Sequence, residues 1–168
     1  MPEIIGGRRW AVSAALSAVV VLGHGPHLRL PGTPDAYHLP PRLRGCAGNV
    51  QLESATRVIG PAGGTIRFGD HVLEIPADAL DSAVTITATA PQSQYLVIDL
   101  APHGLRFNVP ARLSMGYRKC AWDDATFRID YLSDDLTQVL EHEPSSVRTD
   151  RRTVEAPINH FSVYAVAE

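Results

Sequence analysis

The chain has 168 residues, room for one domain and a short appendage rather than several domains. A formal net charge of −3 excludes the strongly basic balance of a nucleic-acid binder and also a strongly acidic tail, while 45% hydrophobic residues support a core of ordinary size. Thirteen Gly and thirteen Pro interrupt the chain often, which favours many short elements over a few long helices.

The first nine residues, MPEIIGGRR, end in two arginines, and residues 10 to 23, WAVSAALSAVVVLG, carry no charge. A basic start before an apolar run of this length predicts a signal peptide or, if uncleaved, a membrane anchor over 1–23. The run is short of the roughly 20 apolar residues of a spanning helix. Small residues near Val21 and Gly23 offer only a weak cleavage site, so both outcomes stay open. Arg8-Arg9 lacks the surroundings of a twin-arginine signal and reads as an ordinary basic region. The expected location is therefore exported (periplasmic, extracellular or membrane-anchored), with the membrane touched only through this segment.

Export changes the reading of Cys46 and Cys120. In an oxidising compartment they can form a disulfide, worth roughly 3–5 kcal/mol in the chain-entropy model. Two unrelated thiols remain equally open, because spacing alone does not bring them within bonding distance. LRGC, residues 43 to 46, is not read as a lipoprotein box: Arg44 is wrong for it and the Cys lies far past the apolar run.

Residues 24–50 hold five prolines, which forbid a regular helix or a central strand and predict a Pro-rich linker. His24, His27 and His38 have no scaffold and no Cys or carboxylate at ligand spacing, so neither a metal site nor a cofactor is expected.

From residue 51 onward, short alternating apolar runs are separated by turn signals, the all-β texture. ATRVIG, TIRF and HVLEIP come first, divided by the turns PAGG and GD. VTITATAP, YLVIDLAP, LRFNVP, ARLSMGYR, FRIDYLS, TQVLEHEP, RRTVEAPI and HFSVYAVA follow, about ten strands in all. ADALDS, after Pro76, has room for one helical turn. Leu73 and Ile75 alternate with Val72 and Glu74 and are the expected core pair. Gly63-Gly64 permit positive φ in a tight turn, Pro76 ends a ladder by removing a donor, and Asp78 or Asp81 can cap a turn. So many short strands predict two packed sheets: an all-β antiparallel sandwich over 51–168.

The run GPAGGTIRFGDHVLEIPADALDSAVTITATAP, followed by APHGLRFNVPARLSMGY, resembles the ZU5 domain, a β-sandwich module of ankyrins, netrin receptors and some death-domain proteins. The features that match are the Gly63-Gly64 turn, the strand ending in Ile75-Pro76, Ala79-Leu80 before a β-branched strand, and a later Gly followed by a Pro-terminated strand. The resemblance spans residues 52 to 168. It implies a sandwich that contacts other proteins, here an envelope or extracellular protein.

Motifs for catalysis are scarce: G-x-S-x-G, H-E-x-x-H and a phosphate-binding Gly loop are all missing from the sequence. Glu141-His142-Glu143 reads as a solvated edge strand with the two acids on one face. Asp123-Asp124 and Asp134-Asp135 read as turn residues without the rest of a calcium loop. Trp122 and Tyr131 could line a carbohydrate site but read as core. His160-Phe161-Ser162 is the one chemical candidate. The resemblance implies it, because some ZU5-related proteins carry this tripeptide and cut themselves between Phe and Ser. Strand periodicity puts His160 and Ser162 on one face, a minimum for Ser162 to attack the Phe161 carbonyl with His160 as base. A half-buried closing strand explains the same letters, with Phe161, Val163, Ala165 and Ala167 on its apolar face. Cleavage there would free only SVYAVAE. The expectation is a non-enzymatic exported binding or structural module, with autoproteolysis at this tripeptide as the alternative.

Overall fold

The computed structural model describes residues 41–122 and 126–168. The expected signal or anchor, the linker histidines and Asp123-Asp124 lie outside the described residues. Thirteen strands follow in chain order: β1 (Gly45–Val50), β2 (Glu53–Ile59), β3 (Gly64–Phe68), β4 (His71–Ile75), β5 (Val84–Ala90), β6 (Ser93–Tyr95) and β7 (Val97–Ala101) lead to β8 (Arg106–Gly116). The rest are β9 (Arg128–Leu132), β10 (Val139–His142), β11 (Ser146–Arg148), β12 (Thr153–His160) and β13 (Val163–Ala167).

These strands form an antiparallel β-sandwich. One sheet has the order β10-β9-β13-β7-β5-β2 and the other β11-β12-β8-β4-β3, while β1 and β6 make a two-stranded ribbon. Alternation along each strand supplies the core. Ile66, Leu73, Leu113 and Ile158 from the five-stranded sheet meet Ile86, Ile98, Leu100, Ile129 and Tyr164 from the six-stranded one, all at 0% exposure. Leu73 and Ile75 point inward as their spacing predicts. At Gly63 the φ of +71° puts any side chain against the backbone after β4: a Cβ would lie 2.4 Å from the Ile75 carbonyl oxygen.

Four expectations are corrected. The linker predicted over 24–50 does not run to its end, because β1 occupies 45–50 and pairs with β6. All five prolines of that stretch lie at or before Pro41, so nothing in the sequence forbids a strand beyond it. ADALDS makes turns instead of a helical turn, since Asp78 takes a φ of +63°, which a right-handed helix excludes. LRFNVP and ARLSMGYR are one strand, β8. Pro110 falls where the ladder with β12 shifts register between Ile158 and His160, so its missing N–H breaks no regular pairing there. HFSVYAVA is not one strand: His160 ends β12 and β13 starts at Val163.

The outer face of β13 is covered. Val97, Leu132, Val139, Val163 and Ala165 form a second apolar cluster, against which Leu43 and Tyr95 pack. Leu43 bridges Ala167, and the Arg44 N–H donates to the Val166 carbonyl at 3.1 Å. Arg44 also pairs with Glu168. All five residues of β13 are therefore buried, where alternation had predicted a half-exposed strand.

Candidate functional site

Phe161 and Ser162 carry the chain from one sheet to the other. β12 belongs to the five-stranded sheet and β13 to the six-stranded one, so the bond between them sits at a corner outside both ladders. The end of β7 and the segment joining it to β8 clamp this corner through three backbone hydrogen bonds. The Phe161 N–H donates to the Leu105 carbonyl (2.8 Å), the Gly104 N–H donates to the Phe161 carbonyl (3.0 Å), and the Leu100 N–H donates to the Ser162 carbonyl (3.0 Å). Gly104 reaches its place with a φ of +78°, a backbone region that favours glycine. Phe161 is 1% exposed and meets Phe107 edge-on, with ring centroids 5.0 Å apart.

Ser162 is buried, and its hydroxyl makes no hydrogen bond to any described residue. It borders an open cavity of about 670 Å³ together with His103, Arg106, Tyr131, Glu141 and His160. His160 is not brought to Ser162 by a hydrogen bond among the described residues. Its ring stands at 71° to Tyr131 with centroids 4.6 Å apart. Its backbone carbonyl accepts the Tyr164 hydroxyl at 2.7 Å. Both side chains border that cavity, although they do not belong to one strand. The ladder shifts register before His160, and the chain changes sheet directly after it. Tyr164, expected beside them on a polar face, is fully buried, and burial pushes its phenol upward, with Glu143 adding to the shift.

Sequence reasoning missed most of the cavity lining. His103 lies in the β7–β8 connection, with Nε2 2.7 Å from Asp99 Oδ1 and Nδ1 3.5 Å from Asp134 Oδ1. Neither acid stands at a spacing that a motif would flag. Asp135, the neighbour of Asp134, holds its own turn by accepting from the Ser133 hydroxyl at 2.6 Å and the Thr137 hydroxyl at 2.8 Å, which keeps its carboxyl below the ordinary range. The Glu141-His142-Glu143 edge is not uniformly solvated. Glu141 and His142 are exposed, but Glu143 lies past the end of β10, donates its N–H to the Ile129 carbonyl and is 4% exposed. Its carboxyl is pushed up to about 7, first by burial and then by Glu141 and Asp130. Trp122 is core, stacked on Tyr117 and donating to the Gly45 carbonyl, whereas Tyr131 is partly exposed at the cavity.

Cys46 and Cys120 form a disulfide that ties β1 to the β8–β9 connection, with their Cα atoms 4.5 Å apart. Among the described residues, no group of three or more His, Cys, Asp or Glu side chains could hold a metal ion. No protein-family model matches the chain, and no curated protein matches it. The ZU5 resemblance rests on the residues quoted for it.

Proposed function

We propose that the chain is a non-enzymatic, exported binding module of ZU5-like type that contacts another protein at the cell envelope. The supporting observation is the edge of the six-stranded sheet. β2 pairs with β5 in unbroken register over seven residues and, among the described residues, has no partner strand on its other side. It carries Val58, 67% exposed, and Leu52 just before it is 64% exposed. No proline or bulge blunts this edge, so an extended segment of a partner can add a strand to it. The test is capture of an envelope protein by the exported chain and by Val58→Lys. Loss of capture with an unchanged unfolding curve is expected. Equal capture by both proteins would rule out the β2 edge as the contact.

A second reading, self-cleavage between Phe161 and Ser162, is favoured by the Gly104 N–H on the Phe161 carbonyl and the unpartnered Ser162 hydroxyl. An N→O acyl shift would form an ester between Ser162 Oγ and the Phe161 carbonyl carbon. The amide bond would break, the Ser162 nitrogen would leave as an amine, and water would then hydrolyse the ester. Gly104 would donate to the developing oxyanion. Intact mass separates the two readings. Under denaturing conditions the binding module keeps a single full-length mass from Met1 or its processed start, whereas self-cleavage yields a separate piece beginning at Ser162, which Ser162→Ala abolishes.

A further inference from the structure

The outward face of the five-stranded sheet carries a second surface, which shares no lining residue with the cavity at Ser162. Strand alternation builds it. Val72 lies opposite both Arg67 and Ser114, Ser114 opposite Glu155, and Glu74 opposite Arg112. Arg118 and Arg151 complete one side of a polar cavity of about 380 Å³. Arg112 also borders two adjoining cavities, of about 430 and 230 Å³. The depression therefore runs across the sheet as a trough with Arg112 at its junction, a shape suited to a chain rather than to a single small anion.

Of the guanidinium groups in this trough, Arg148 and Arg151 are paired, with Glu155 at 3.6 Å and Asp150 at 3.8 Å, whereas Arg67, Arg112 and Arg118 form no ion pair with a described residue. Arg67 and Arg112 make no hydrogen bond or ion pair with a described residue, and Arg118 commits only its Nε, to the Arg151 carbonyl at 3.3 Å. Glu74 forms no ion pair with Arg112, although the two are cross-strand neighbours. Guanidinium forks that share one trough without full compensation take carboxylates in paired hydrogen bonds. Between them, Asp70 and Glu74 are acceptors that suit hydroxyl donors, and Ser114 adds a hydroxyl, while Glu155 is engaged by Arg148 at 3.6 Å and by the Thr153 hydroxyl at 3.5 Å. Among the described residues no aromatic side chain lines the trough, so charge and hydrogen bonding rather than stacking carry recognition there.

We propose that this trough binds a linear acidic polysaccharide, its carboxylates on Arg67, Arg112 and Arg118 and its hydroxyls on Asp70 and Glu74. An acidic peptide fits less well, because a run of its carboxylates would face Asp70, Glu74 and Glu155 with no hydroxyls to offer them. The surface is distinct from the β2 edge, so this inference goes beyond the protein-contact reading and stands or falls separately from it.

The test is affinity electrophoresis of the full chain through gels containing polygalacturonate, neutral dextran or poly-glutamate, at about 0.15 M salt. Polygalacturonate is expected to retard the wild type, and dextran is not. Arg67→Ala and Arg112→Ala, made separately on two exposed side chains, should each weaken retention by about tenfold with unchanged unfolding curves. Arg57→Ala on β2 removes the same charge elsewhere and should change nothing. The inference is overturned by absence of retardation, by an equal loss in Arg57→Ala, which would mark general ionic attraction, or by equally tight binding of poly-glutamate.

Discussion

His71 and Glu143 respond to burial in opposite directions. His71 is 2% exposed, and its Nδ1 accepts the Gly116 N–H at 3.1 Å. Burial lowers its pKa to about 4, against the pull of Glu53 and Asp70. Glu143 is raised to about 7. Between pH 4.5 and 6.5 the unfolded chain holds a proton at His71 that the fold has released, so that group makes stability rise with pH. In the same window the fold holds a proton at Glu143 that the unfolded chain has released, so that group makes stability fall. The two slopes nearly cancel. Glu143→Gln removes the second, and its stability in urea should drop by about 2 kcal/mol from pH 6.5 to 4.5, while the wild type stays nearly level. A level profile in the variant would show that His71 is not held neutral. His71 was legible as an inward residue, since it shares the alternation of Leu73 and Ile75. Glu143 was not, because its burial depends on the chain leaving the edge strand at His142.

At the scale of elements, the segment from 41 to 50 acts as a strap across the outer face of β13. Leu43 bridges Ala167, the Glu168 N–H donates to the Arg42 carbonyl at 3.2 Å, and the disulfide pins β1 to Cys120. The bridge spans 74 residues in sequence. On chain entropy, Cys46→Ser with Cys120→Ser should cost about 4 kcal/mol in urea unfolding. A loss under about 1 kcal/mol would mean that the ladder and the Arg44–Glu168 pair hold the strap unaided. Strand identity in the domain was readable from alternation and β-branched runs such as VTITATA, which is β5. β1, β6 and β11 were not. The last two have three residues each, too few to show a period, and the prolines before β1 masked it.

At the scale of the whole molecule, β13 is the strand on which the six-stranded sheet depends. It pairs with β7 on one side and β9 on the other, and both its faces are covered by apolar clusters. A chain ending at Phe161 should therefore show no cooperative unfolding transition, whereas one nicked after Phe161 should keep its fold and its far-UV spectrum, the short piece being held by two ladders. Retention of a cooperative transition by the truncated chain would show that β7 and β9 close without it. The amino-acid sequence by itself determined that this is an all-β chain of short antiparallel strands, because period-two alternation and turn residues are local properties. It also determined which face of β4 turns inward, that of Leu73 and Ile75. Only the tertiary structure decided that His160-Phe161-Ser162 is a corner rather than a strand interior, that Gly104 donates to the Phe161 carbonyl, and that Arg67, Arg112 and Arg118 share one trough. Those facts depend on which strands become neighbours across long stretches of chain, and pairing partners are chosen by the packing of two whole sheets, which no local pattern encodes.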